Sequence, residues 1–212
     1  VFIAHGLHTV SPGEQGFLMV VGIDGYKDEF RCGSRTNIDV FYDKRGEGRV
    51  VLAKGEPITQ LSLSDLIHVD RYQKGFVLPK NKIKFAYDLI DTMVDNGRAF
   101  VTKPGTHTIP TNRLGEEGVT SFMYSEPQLG FNARDFGDWL GNQNVKTHTI
   151  HFDNKGYSPK KSYPYLNHLY LHEFGRTFFA VGDGSRGRYY GDALGVSIKK
   201  SAEGDEKSLQ KK

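Results

Sequence analysis

The sequence contains a single cysteine, Cys32, so it can close no intrachain disulfide and hold no cysteine-rich zinc module. Stability must come from an apolar core, and at 212 residues the chain is long enough to bury about 70% of the surface its unfolded form exposes. Long apolar runs are missing too. Nothing approaches the roughly 18–20 residues of a membrane span, and no charged-then-apolar leader opens the chain, so it reads as soluble. Charge of one sign is scarce: 28 Lys+Arg against 25 Asp+Glu leave a formal net charge of +3. The basic residues are scattered rather than striped, which argues against nucleic acid as a partner. Internal repeats and a domain linker are absent, and no signal of oligomeric state is present. What remains, 37% hydrophobic residues, 12% aromatic and 25 glycines, is the composition of a globular, loop-rich domain.

Short apolar runs bounded by turn residues predict strands at "VFIAHG" (1–6), "GFLMVVGID" (16–24), "NIDVFYD" (37–43) and "VVLAKG" (50–55), the last two joined by "KRGEGR". "SLSDLIHVDRY" (62–72) suits a helix capped by Ser62 or Ser64. Apolar residues at 85, 86, 89, 90, 93 and 94 keep a 3.6-residue period, with Gly97 placed to end the helix. Residues 102–118, with two prolines and three glycines, predict a long loop of the kind that carries function. "VTSFMY" (119–124) and "HTIHF" (148–152) predict strands, the latter with His148 and His151 on opposite faces. The expected organisation is one α/β domain over 1–197, a mixed central sheet flanked by helices, followed by a frayed polar tail at 198–212. The abrupt start on "VFIAHG" suits a chain preceded by further residues in a parent protein.

"HLYLHEFGRTFFAVGDGSRG" (168–187) opens its His172-Glu173 pair like the zinc-protease pattern H-E-x-x-H, but Arg176 stands at the second histidine. A guanidinium is always charged and repels Zn²⁺. A metal reading survives only with His168 and His172 at i and i+4 on a helix and Asp183 as third ligand, a degenerate zinc site. The bland alternative is an amphipathic helix through "YPYLNHLYLHEF", ended by Gly175 and followed by a buried strand "TFFAV" and a loop "GDGSRG". On that parse two buried strands run directly into polar loops, one at His5-Gly6 and one at Gly182-Asp183-Gly184-Ser185. Sites in open α/β sheets form beyond such strand ends. A strand ending in His-Gly beside a strand ending in a nucleophile is the arrangement of caspase-like cysteine peptidases.

"AHG" (4–6), "GFVLPKNKIKF" (75–85), "PGTHTIPTNRL" (104–114) and "LHEFGRTFFAVGDGSRG" (171–187) together resemble the Stv adhesin domain family of bacterial secreted and effector-like proteins. The resemblance implies a caspase-like α/β fold, secretion or delivery into a target cell, and a protein or peptide as substrate or partner. The family carries a cysteine after its last strand where this sequence offers Gly182, Asp183 or Ser185. The candidate catalytic residues are therefore His5, Asp183 and Ser185, with Cys32, flanked by Arg31 and Arg35, as the one thiol whose pKa neighbouring cations could lower. Three functions follow: a peptide- or amide-bond hydrolase or its catalytically silent form; a zinc protease using His168, His172 and Asp183; and a non-enzymatic adhesin or partner-binding module. No cofactor other than that alternative zinc is implied. "RGEGR" and "SRGRYYGD" have arginines and glycines suited to anions, although neither is a phosphate-binding P-loop.

Overall fold

The computed structural model describes residues 8–22, 34–43, 45, 48–55, 76–77, 80–152, 165–174, 177–181, 192–193 and 195–196. Two neighbouring stretches set its centre. Strands β2 (Ser34–Asp43) and β3 (Arg49–Lys54) pair antiparallel with Val40 opposite Leu52. Along both, side chains alternate between two buried faces. Ile38, Val40, Tyr42, Val50 and Leu52 join one apolar cluster; Phe41, Val51 and Ala53 join another. A strand apolar on both faces needs cover on both, and the helices supply it.

On one face lie α1 (Pro12–Val21), α3 (Gly118–Tyr124) and α4 (Ala133–Asn142), contributing Met19, Val119, Met123, Tyr124, Phe136 and Leu140. On the other lies α2 (Lys80–Asp95), contributing Ala86, Ile90 and Met93. This helix is the one anticipated from its period, and Gly97 takes a left-handed φ of 74°.

Among the described residues the main sheet has nine strands. Its path runs β5 (Ala99–Thr102), β3, β2, β8 (Tyr165–Phe174), β9 (Thr177–Val181), β7 (Thr147–Phe152) and β6 (Gly105–Pro110). Off this path, β4 (Phe76–Val77) pairs with β8 and β10 (Asp192–Ala193) with β2. A separate two-stranded ribbon joins β1 (His8–Thr9) to β11 (Gly195–Val196). Pairing is antiparallel except for β7 with β9 and β10 with β2.

Four predicted elements are corrected. "GFLMVVGID" is not a strand: its apolar part lies in α1. Ser11 and Glu14 form a reciprocal capping box, Pro12 sits in the first turn, and Gly22 closes the helix at φ 69°. "VTSFMY" belongs to α3, where Thr120 and Ser121 bond back to carbonyls one turn and more upstream. Residues 102–118 are not one long loop, since β6 runs through them. Residues 165–174 form β8, not a helix. Tyr165, Leu166, Asn167 and His168 pair with Tyr42, Phe41, Val40 and Asp39, and residues 170–174 pair with β9 on the other side. Cross-strand hydrogen bonds on both flanks win over a helical period that, in isolation, looks convincing. The strands at 37–43, 50–55, 148–152 and 177–181 stand. The predicted strand at 1–6, helix at 62–72 and tail at 198–212 lie outside the described residues.

Candidate functional site

Among the described residues a shallow polar cleft of about 280 Å³ is lined by Gly115, Ser121, Ser125, Asn132, Ala133 and Arg134. One wall is α3. Ser121 donates its hydroxyl to the Gly115 carbonyl at 3.2 Å, tying the helix to the 114–117 turn before it. The Ser125 amide then closes on Ser121 O at 3.1 Å, ending the helix.

The opposite wall is a tight loop followed by a helix start. Glu126 and Phe131 exchange backbone hydrogen bonds of 2.9 and 3.2 Å, with Gly130 at φ 62° completing the reversal. Asn132 caps α4: its Oδ1 accepts from the amides of Arg134 and Asp135 at 2.8 and 3.2 Å. The Asp135 carboxylate returns the bond to Asn132 N at 3.0 Å.

Behind this loop a partly buried polar network holds it in place. The Glu126 carboxylate accepts from the Ser11 hydroxyl at 2.5 Å and meets Lys54 Nζ at 3.5 Å. Lys54 also donates to the Ser125 carbonyl at 3.0 Å. The central strand β3, the start of α1 and the rim of the cleft are thus joined through one carboxylate. Gly13 permits this, because a Cβ there would overlap the Glu126 side chain. Phe17 packs edge-on to Phe131 with centroids 5.9 Å apart, closing the loop from below.

Elsewhere, arginine pairs engage carboxylates of the chain itself. Arg45 and Arg49 of "RGEGR" clasp Asp43 and Asp91 at 2.7–3.0 Å, and Arg45 lies 4.0 Å over the Tyr87 ring. The anion anticipated for this loop is internal. Burial works to raise the Asp43 pKa, but donors from Arg45 and Arg49 outweigh it and hold the carboxyl below its usual range. Before α3, Arg113 holds Glu116 at 3.0 Å and Glu117 at 3.5 Å.

Of the predicted catalytic residues, His5, Cys32, Asp183 and Ser185 lie outside the described residues. His168 and His172, expected one helical turn apart, are on strand β8, where positions four apart are separated by about 13 Å along the strand. The convergence that a helix would have given them is lost. Among the described residues no cluster of three or more His, Cys, Asp or Glu is placed to hold a metal. His148 and His151 do face opposite sides of β7. His148 is buried and 2.6 Å from the Tyr124 hydroxyl; burial lowers its pKa to about 3. It is a neutral core residue. His151 is on the other face, with Nδ1 2.8 Å from Thr106 Oγ1. His107, expected in a loop, is on β6 with Nε2 3.0 Å from the Lys103 carbonyl. Sequence reasoning missed the cleft entirely. The signals that point to it, the asparagine cap and Asp135 three residues on, announce a helix rather than a site.

No family model and no curated protein matches the chain. It is similar to a solved structure from work on the accommodation of massive sequence variation in Nanoarchaeota by the C-type lectin fold. The TM-score is 0.58 at 14% identity, over 91% of this chain and 85% of that one. That likeness overturns the Stv resemblance and the caspase-like architecture, and with them the support for a peptidase reaction. The expectation of a bacterial secreted or delivered protein rests on the same resemblance and has no other support. No helix among the described residues is long and apolar enough to cross a membrane. The fold of this chain is the C-type lectin fold.

Proposed function

We propose that the chain is a binding module that takes a protein or peptide partner on the surface around the Ser121–Arg134 cleft. The observation that carries this reading is the likeness to the C-type lectin fold, a scaffold that in the similar protein accommodates massive sequence variation. Such tolerance suits a rigid core whose surface residues do the recognising. Here the core is a sheet covered on both faces, and the cleft wall is pinned to it by Lys54, Ser11 and Glu126. A wall that does not reorganise on binding retains more of the interaction energy as affinity.

The test is capture of peptides from an immobilised array by the labelled domain. Selective capture is expected from the native chain, with at least tenfold weaker retention by Ser121→Trp, whose ring fills the cleft. Lys84→Ala, on the exposed side of α2, is the control expected to retain full capture. Non-selective capture, or equal capture by Ser121→Trp, overturns the reading.

A further inference from the structure

Strand β6 ends one side of the sheet path, and its pairing fixes where its backbone points. Thr111 N donates to Lys146 O at 3.1 Å, and the register runs on from Pro110 with Thr147 to Gly105 with Phe152. Bonded positions alternate in an antiparallel pair. Residues 105, 107 and 109 therefore bond β7, and the amide and carbonyl groups of Thr106 and Thr108 point away from it. Those backbone groups make no hydrogen bond among the described residues, and both threonines are exposed. Natural sheets guard such an edge with charge, a bulge, a covering element or brevity. β6 carries no charged residue and pairs with β7 without a break in register, and Pro110 guards its last position alone. The opposite end of the path, β5, is four residues long between Arg98 and Lys103.

We infer that the open edge of β6 pairs antiparallel with β6 of a second copy of this chain, joining the two sheets about a two-fold axis at His107. Centred there, Thr106 lies opposite the partner's Thr108 and exchanges both backbone bonds with it, and the second such pair follows by symmetry. Both outward amides of each copy gain acceptors. The side chains match as well. Thr106 Oγ1 is 2.8 Å from His151 Nδ1, and Thr108 Oγ1 is 3.3 Å from Thr149 Oγ1. The pairing extends these contacts into one row of hydrogen-bonding side chains: His151, Thr106, the partner's Thr108 and the partner's Thr149. Threonines directly opposite each other are a favourable cross-strand pair, and an uncharged strand meets its copy without like-charge repulsion. The contact is short, which makes the dimer weak and concentration-dependent. It lies on a different element from the Ser121–Arg134 cleft and is independent of the binding reading.

Sedimentation equilibrium of the native chain between about 5 and 500 μM tests it, under reducing conditions that prevent Cys32 from linking copies. The mass is expected to rise from one chain to two, and the Thr106 and Thr108 amides to gain exchange protection over the same range. Thr106→Lys/Thr108→Lys, which sets lysines opposite lysines, should stay a single chain throughout while keeping the native circular dichroism and melting midpoint. Thr106→Glu/Thr108→Glu should behave alike, and mixing the two variants should restore a two-chain species. A native chain that stays single overturns the inference, whether its Thr106 and Thr108 amides exchange freely or are protected by another segment of the same chain. So does a mass that climbs past two chains, because a contact that does not close joins unlike surfaces. A dimer that survives in the lysine variant, or variants that do not recombine, would place the contact elsewhere and overturn it too. None of these failures touches selective peptide capture at the cleft.

Discussion

At the scale of single residues, two buried ionisable groups make the stability of this domain depend on acid. Asp43 has a fully buried carboxylate between Arg45 and Arg49, and its folded pKa lies below the unfolded value. Its contribution is therefore present above about pH 4 and lost as pH falls through the folded pKa. Asp91 follows the same direction, held down first by its hydrogen bond from Arg45. Replacing Asp43 by Asn is expected to cost about 2 kcal/mol at neutral pH, because two guanidinium groups lose a charged acceptor. Urea unfolding of the variant between pH 2 and 6 should show a shallower acid limb. His148 acts in a higher window. With a folded pKa of about 3 against about 6.5 unfolded, the unfolded chain binds the extra proton, so stability falls as pH drops from about 6.5 towards 3. The slope is about 1.4 kcal/mol per pH unit. His148→Gln, which keeps a partner for Tyr124, should remove that slope, and a native-like slope in the variant would place the titrating group elsewhere.

At the scale of elements, helix ends and close approaches matter more than propensity. Ser11 caps α1 and also donates to Glu126, so Ser11→Ala removes a cap and leaves a partly buried carboxylate short of a donor. A loss of about 1–2 kcal/mol in chemical unfolding is expected. Gly137 is the clearer case. Propensity alone says that Gly→Ala inside α4 stabilises by about 1 kcal/mol. Yet an added Cβ would overlap the Thr111 carbonyl oxygen, which is backbone and cannot step aside. Gly137→Ala is expected to destabilise by at least about 1–3 kcal/mol, and a raised melting temperature would refute the close approach of α4 to residues 111–113. These elements also show where sequence reading stopped short. The capping box at Ser11-x-x-Glu14 was legible in "SPGE", but the apolar run "GFLMVV" behind it reads equally as strand or helix. The β8 segment was misread for the converse reason: its helical period, with Leu166, Leu169 and Tyr170, is local, whereas its partners β2 and β9 are distant in sequence.

At the scale of the whole molecule, the sheet is unequal from centre to edge. Strands β2 and β3 are covered on both faces and bonded on both sides, while β6 ends the described path. Native-state hydrogen exchange should find the amides of Val40, Tyr42, Val51 and Leu52 opening only with global unfolding. The β6 amides not bonded to β7 should exchange through smaller openings. Uniform protection across both would mean that β6 is covered. The sequence by itself determined what depends on composition and local pattern: stability without a disulfide, the strand character of residues 37–43, 50–55, 148–152 and 177–181, and the periodic helix α2 with its Gly97 terminus. Only the tertiary structure decided that residues 165–174 are a strand, that the C-type lectin fold holds them, and that Ser121, Ser125, Asn132 and Arg134 share one cleft. Those facts depend on hydrogen bonds and packing between residues far apart in the chain, such as Lys54 with Ser125. No periodicity within a local window encodes such long-range pairing.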